Sequence, residues 1–250
     1  MNTTHRVCLL AAIAGTALGA ALFAPHVAQS QAYHAFADTR LLLGVPNAAD
    51  SLSNLGFVAA GALGLAFVSR RQAPRGSYLA FFAAVILTGF GSAYYHLAPG
   101  DSRLVWDRLP MTLAFASLLA AEIGGRIDRR TGDLLLLPLL VVGIGTVAYW
   151  RFSSVLNVEN LAPYLAFQFG AVALLIAIAA LFPSGGTGNA LFWVVAAYAA
   201  AKLFEAYDEE IYGIGRWISG HTLKHLAAAA GALLLAHHLR ASREAKNHAG

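Results

Sequence analysis

Cysteine and charged residues are scarce in this sequence, and each scarcity excludes a class of protein. Cys8 is the one cysteine among 250 residues, so the chain cannot form an intrachain disulfide and is not a disulfide-stabilised scaffold. Charged residues make up 12% of the chain and hydrophobic residues 58%, whereas soluble domains carry about 25% charged residues. The composition therefore excludes an ordinary soluble domain and predicts that lipid surrounds most of the chain.

The small excess of positive charge does not indicate a nucleic-acid-binding protein. The formal net charge is +4 at pH 7, and the basic residues are spread among the polar links of the chain. A nucleic-acid-binding surface needs clustered basic residues, with aromatic side chains between them where bases stack. We therefore expect no nucleic-acid partner.

Long apolar stretches, separated by short polar links, make up most of the chain. About 20 apolar residues in a helix span the ~30 Å hydrocarbon layer of a bilayer, and eight stretches meet or approach that length. They predict an all-α integral membrane protein with a seven-transmembrane helix bundle in residues 33–240 and a tail in residues 241–250. Residues 1–32 form either a cleaved signal peptide or an additional N-terminal transmembrane helix. The stretches are 7–24, 52–69, 77–97, 105–124, 133–150, 162–182, 189–206 and 217–239.

Arginine and lysine in the links predict the orientation of the bundle. Three links that alternate correctly along the chain are basic, and basic links lie preferentially on the cytoplasmic side. We therefore predict a multi-pass protein of the cell membrane with a cytoplasmic C-terminus. The basic residues of these links are Arg70, Arg71 and Arg75, then Arg126, Arg129 and Arg130, and finally Arg240, Arg243 and Lys246.

Five polar residues from three predicted helices fall at the outer ends of those helices. They are Ser92, His96, Asp107, His221 and His225. Residues four apart share one face of a helix, which applies to Ser92 with His96 and to His221 with His225. Two histidines on one face and a third from a neighbouring helix can bind a catalytic zinc ion, which takes three protein ligands and keeps its fourth position for water.

Each of these residues also has a structural interpretation. A histidine near a helix end is often interfacial or hydrogen-bonded, and a serine is common where membrane helices pack closely. Asp107 could cap its helix or pair with Arg103, four residues earlier.

Taken together, the motifs resemble those of the alkaline ceramidase family. The chain has Gly-Ser-Ala-Tyr-Tyr-His at residues 91–96, an aspartate at Asp107 and Ser-Gly-His-Thr-Leu-Lys-His at residues 219–225. A Ser-x3-His pair, an aspartate and a late His-x3-His pair mark the wider group of seven-helix membrane hydrolases that includes the adiponectin and progestin receptors. The resemblance covers about residues 33–240.

The resemblance implies an intramembrane zinc-dependent hydrolase of linear amide C–N bonds. It implies that His96, His221 and His225 bind zinc, and that Asp107 and Ser92 hold the reacting water and assist catalysis. The expected substrate is a membrane lipid, either ceramide, cleaved to a fatty acid and a sphingoid base, or another N-acyl lipid. The site would open toward the outer side, and no obligate protein partner is evident.

Two acidic segments are further candidates. Eukaryotic ceramidases carry a calcium-binding segment before the first core helix, where this chain has Asp38, Asn47 and Asp50. Calcium takes six to eight oxygen ligands, and Arg40 stands between the two carboxylates, so we predict a capping and packing segment and no tight calcium site. Glu205, near the outer end of its helix, is predicted either to join a salt-bridge network or to contact the zinc-binding histidines without binding the metal itself.

Three other functions are compatible with a polytopic membrane protein. A receptor-like member of the same group with little turnover would carry a large domain or tail for partners. A transporter would show internal repeats and broken helices, and we find no repeat. A membrane cytochrome would use histidines on two sides of a haem, whereas His221 and His225 share one helix face.

Overall fold

The computed structural model describes residues 2–68 and 75–247, and this part of the chain is helical with no β-strand. The long apolar stretches of the sequence coincide with long helices, which confirms the predicted all-α fold. One short 3-10 helix, Gln31–His34, precedes the bundle. The α-helices are α1 (Thr3–Phe23), α2 (Ala48–Ser53), α3 (Leu55–Val68), α4 (Arg75–Leu97), α5 (Asp101–Arg126), α6 (Arg129–Val155), α7 (Ala162–Leu181), α8 (Ala190–Ala206), α9 (Asp208–Gly215) and α10 (Gly220–Asn247).

The lengths and composition of the helices are those of a multi-pass membrane protein. Within the described residues, six helical segments are long and apolar enough to cross a membrane, or seven if α8 and α9 form one span bent by 72°. Helix α10 is not among them, because its first half carries the polar site residues and it ends in basic ones. It is nevertheless packed between α3 and α8 as a member of the bundle.

Helix α1 corresponds to the first apolar stretch and packs against α7. Leu10 reaches the main hydrophobic core, and the Arg6 guanidinium lies 5.6 Å from the centre of the Phe182 ring. A signal peptide and an extra transmembrane helix both contain such a helix, so the assignment of residues 1–32 stays a prediction.

Several helix ends differ from the sequence prediction for local physical reasons. The first core span begins at Ala48 and breaks at Asn54, where the side-chain amide donates to the carbonyl of Asp50 at 2.8 Å and competes with the helical pattern. A second break follows Ala206, so that three acidic residues open α9 rather than end the preceding helix. Helix α10 continues to Asn247, into the predicted tail. Arg70 and Arg71, which belong to the first predicted basic link, lie outside the described residues.

The order of packing sets where the polar residues meet. Helix α4 lies between α3 and α5, and α10 also packs on α3. Because successive helices run in opposite directions, the end of α4 and the beginnings of α5 and α10 lie at one end of the bundle. A small hydrophobic cluster encloses this end, with Phe36, Tyr95 and Trp150 among its buried members.

Candidate metal centre and its cavity

Three histidines from two helices form a buried cluster at this end of the bundle. His96 occupies the last turn of α4, and His221 and His225 occupy the first two turns of α10. Their exposed fractions are 1%, 4% and 2%. Their ring centres are 4.8–4.9 Å apart in each pair, and one ring nitrogen from each lies within 4.8 Å of the others. The three predicted zinc ligands are therefore brought together, close enough to hold a metal ion.

The ring nitrogens of this cluster are suited to a metal ion. His96 Nδ1 and His221 Nε2 are buried and have no hydrogen-bond partner among the described residues, and leaving a buried polar atom unpaired is costly. Three imidazole nitrogens match the donor set of a catalytic zinc site. With Zn–N bonds near 2.1 Å, tetrahedral ligands lie roughly 3.4 Å apart, so nitrogens that now lie within 4.8 Å of one another would approach by up to about 1.4 Å on binding zinc.

Neighbouring polar groups orient the histidines. His225 Nδ1 lies 2.8 Å from the Ser53 hydroxyl and 3.2 Å from the carbonyl of Asp50, so its other nitrogen remains for a ligand. Asp208 accepts a hydrogen bond from the backbone N–H of His221 at 2.7 Å, which caps the beginning of α10. Such supporting contacts fix ring orientation in metal sites.

Two glycines allow the close helix contacts on which the cluster depends. A Cβ atom at Gly91 would lie 1.9 Å from the carbonyl oxygen of Trp106, and one at Gly220 would lie 2.1 Å from the carbonyl oxygen of Phe204. Any other residue would push the backbones apart. Each glycine precedes a predicted site residue, so the glycine and the functional residue form one local unit.

Asp107 and Ser92 lie beside one another on facing helices. Helix α5 begins at Asp101, which places Asp107 in the second turn rather than the first and buries it to 6% exposure. The residues just before them are in close contact, since a Cβ at Gly91 would lie 1.9 Å from the carbonyl oxygen of Trp106, and Ser92 and Asp107 line the same cavity. Arg103 turns away to donate to the carbonyl of Tyr94 at 3.2 Å, which leaves the capping and pairing interpretations of Asp107 without support.

A cavity of about 420 Å³ joins these groups to the interior of the bundle. Ser92, Asp107 and His225 line it together, and its volume is typical of a small-molecule site. On α5 the lining extends from Asp107 to Leu118, about 16 Å along the helix axis. The cavity has polar groups near the histidines and an apolar end. The apolar lining includes Phe57, Phe81, Val85, Met111, Phe115, Leu118, Leu165, Phe169, Val194 and Ala232.

Glu205 belongs to a salt-bridge network in the same cavity. Its carboxylate accepts from Lys202 at 2.6 Å, from Lys224 at 2.8 Å and from the Tyr33 hydroxyl at 3.0 Å. Lys224 lies on α10 between the two histidines. Glu205 therefore contacts the lysine that adjoins the histidines, as the network interpretation predicts.

The three residues of the calcium-like segment bind different protein groups. Asp38 is buried and accepts two bonds from the Arg40 guanidinium, at 2.5 and 2.8 Å. These hydrogen bonds hold the pKa of Asp38 below its usual range. Asn47 donates to the carbonyl of His96 at 2.8 Å, and Asp50 accepts from the hydroxyls of Ser219 and Thr222 at 2.9 and 2.6 Å. Asn47 and Asp50 therefore brace the histidine cluster, since the carbonyl of Asp50 also lies 3.2 Å from His225 Nδ1, whereas Asp38 pairs with Arg40.

Several residues that contact the site are not indicated by any sequence pattern. Phe36 packs its ring 4.6 Å from both His96 and His221, and His34 bonds the Tyr95 hydroxyl and Asp101 at 2.8 and 3.0 Å. Both come from the segment before the first core helix, which folds back over the site. Arg108 follows Asp107 directly, and this intramembrane charge is the one signal that could have marked it.

Comparison of the chain with models of known protein families gave no match, and comparison with curated proteins gave none either. The chain is a polytopic all-α membrane protein with a buried three-histidine cluster, one member of which, His225, lines an amphipathic cavity.

Proposed function

We propose that this chain is a zinc-dependent intramembrane amide hydrolase that cleaves membrane N-acyl lipids, a class that includes ceramide. The observation that carries the proposal is the shared cavity: His225 of the three-histidine cluster, Ser92 and Asp107 line one end, and apolar side chains line the other. An amphipathic lipid with an amide at the base of its head group fits this cavity, because its amide would lie at the polar end and its acyl chain along the apolar side chains. The motif resemblance to alkaline ceramidases supports the same chemistry.

The residues of the chain divide the hydrolytic work among them. Zinc, when bound, would polarise the amide carbonyl and lower the pKa of water at the site toward 7. Asp107 accepts a proton from the attacking water and delivers it to the leaving nitrogen. Ser92 donates a hydrogen bond that steadies either the developing oxyanion or the Asp107 carboxylate. The carbonyl carbon gains the water oxygen and loses the nitrogen, which gives a fatty acid and an amine.

The decisive experiment compares two histidine variants on the same helix. His221 lies in the buried cluster, whereas His237 is exposed at the other end of α10. We expect His221→Ala to lose both bound zinc and release of fatty acid from labelled ceramide, and His237→Ala to keep both. Zinc binding without turnover of any N-acyl lipid would contradict the enzyme and favour the receptor-like function. Turnover of other N-acyl lipids alone would retain the hydrolase and exclude ceramide.

We further propose that the site faces the outer side of the cell membrane, as the basic links indicate. The single cysteine makes the test simple, because a Cys8→Ser variant has no native thiol. Ser102→Cys, introduced into that variant at an exposed position near the site, should react with an impermeant maleimide added to intact cells. Labelling only after lysis would reverse the orientation.

A further inference from the structure

Arg108 is a buried cation whose hydrogen-bonding groups are only partly used. It is 5% exposed and lines the cavity next to Asp107. Its Nη2 donates to the side-chain oxygen of Gln29, whereas its Nη1 is buried and has no hydrogen-bond partner among the described residues. A charge at membrane depth is costly unless it is paired, so the unused nitrogen indicates a ligand.

Aromatic rings surround the Arg108 guanidinium without accepting hydrogen bonds from all of its N–H groups. The Arg108 guanidinium carbon lies 4.4 Å from the centre of the Trp150 ring, 4.9 Å from that of Tyr164 and 5.6 Å from that of Tyr33. These cation–π contacts stabilise the charge but offer no acceptor in the plane of the guanidinium. A guanidinium fixed in this way is prepared to bind a planar carboxylate through its N–H groups.

The other cations of the cavity already have partners. Lys202 and Lys224 both pair with Glu205, and no ion pair to Arg108 occurs within the described part of the chain. Counting these three cations against Glu205 and Asp107, the polar end carries a formal charge of +1 with neutral histidines. The cavity therefore favours an anionic ligand group, and Arg108 is the place where it would be bound.

The chemistry of an amide identifies which part of the ligand carries that group. In an intact lipid amide the acyl chain ends in the uncharged amide, so an anionic group can come only from the amine part. We propose that Arg108 binds a carboxylate on the amine part of the lipid, which makes N-acyl amino acids the preferred class over uncharged ceramides. That this ligand is a substrate depends on the proposed function, whereas the carboxylate-binding site does not depend on it.

Two lipids that differ in one group test the proposal. N-oleoylglycine and N-oleoylethanolamine differ by a carboxylate against a hydroxymethyl group, and their equilibrium binding is measured on the purified full chain in detergent. The wild type should bind N-oleoylglycine at least about tenfold more tightly, a ratio that corresponds to about 1.4 kcal/mol. Arg108→Gln should bind the two within about twofold of each other. Arg108→Lys, which keeps the charge without the planar fork, should retain part of the preference.

A matched control and a third ligand separate the alternatives. Arg103→Gln removes an arginine from the same helix, where its side chain packs on Tyr94 outside the cavity, and should bind both lipids as the wild type does. Equal affinities in the wild type, an undiminished preference in Arg108→Gln, or equal weakening of both ligands would overturn the proposal. So would oleate binding that depends on Arg108 when N-oleoylglycine binding does not, because the carboxylate would then be that of a fatty acid.

Hydrolysis and binding measurements distinguish a failure of the proposed hydrolase from a failure of the carboxylate site. If the wild type hydrolyses no lipid amide but keeps an Arg108-dependent preference for the carboxylate, the enzyme is excluded and the binding site stands. If the wild type hydrolyses both lipids with the same kcat/KM, and Arg108→Gln leaves that ratio unchanged, the enzyme stands and the carboxylate site is excluded.

Discussion

Replacing Gly91 by alanine should damage the site without removing any functional side chain. The added Cβ would lie 1.9 Å from the carbonyl oxygen of Trp106, and real contacts of this kind essentially never fall below 3.0 Å. Helices α4 and α5 must therefore separate locally by about 1 Å. Because Ser92 and Asp107 lie on either side of this contact, the separation acts directly on their spacing. A misplacement of about 1 Å can reduce the rate roughly 100-fold, and overpacking costs about 1–3 kcal/mol of folding stability.

The assay is fatty-acid release by Gly91→Ala, measured beside its thermal unfolding. Gly76 provides the control, because it lies on the same helix and a Cβ there meets nothing within 4 Å. Gly76→Ala should keep wild-type activity and stability, whereas Gly91→Ala should lose about two orders of magnitude in kcat and unfold at lower temperature. Full activity in Gly91→Ala would refute the argument that this close contact sets the geometry of the site.

Three further predictions concern residues that surround the histidine cluster or lie in the segment before the first core helix. Gly220→Ala should lose bound zinc, measured by elemental analysis, because its Cβ would lie 2.1 Å from a carbonyl oxygen of α8; normal zinc content would contradict the required close approach. Ser53→Ala removes the 2.8 Å contact to a histidine ring and should weaken zinc binding about 10- to 100-fold in competition with a chelator, and unchanged affinity would show that the hydroxyl is dispensable. Asp38 has a lowered pKa because Arg40 bonds it, so its contribution to stability is full above the unfolded value of about 3.9 and is lost as the pH falls through the folded pKa. The difference in Tm between wild type and Asp38→Asn should therefore be largest near neutral pH and shrink below about pH 4, and a constant difference would rule out ionisation of Asp38 as its source.

The sequence predicts the histidine cluster because few geometrical facts are needed to assemble it. His221 and His225 share a helix face by spacing alone, and the alternation of helix direction brings the end of α4 to the same level. The length of the apolar stretches predicts the bundle for the same reason, since the bilayer fixes how long a spanning helix must be. Ser92 and Asp107 meet because their helices are consecutive and antiparallel.

The surroundings of the cluster could not be predicted in this way. Phe36 and His34 reach the site because the segment before the first core helix folds back over it, and no periodicity records that path. In the sequence, Lys224 is a single charge within an apolar helix, and its ion pair with Glu205 becomes visible only when α8 and α10 are packed together. The breaks before Leu55 and after Ala206 arise from local hydrogen bonds and close backbone packing, which compete with apolar patterns that continue through both positions.

Zinc K-edge X-ray absorption of the purified protein reports the ligands of the metal independently of turnover. We expect about one zinc per chain with three imidazole nitrogens at roughly 2.0–2.1 Å and one oxygen, and one imidazole fewer, or no zinc, in His225→Ala. Absence of stoichiometric zinc from folded wild-type protein, or a zinc site unchanged in His225→Ala, would contradict this expectation.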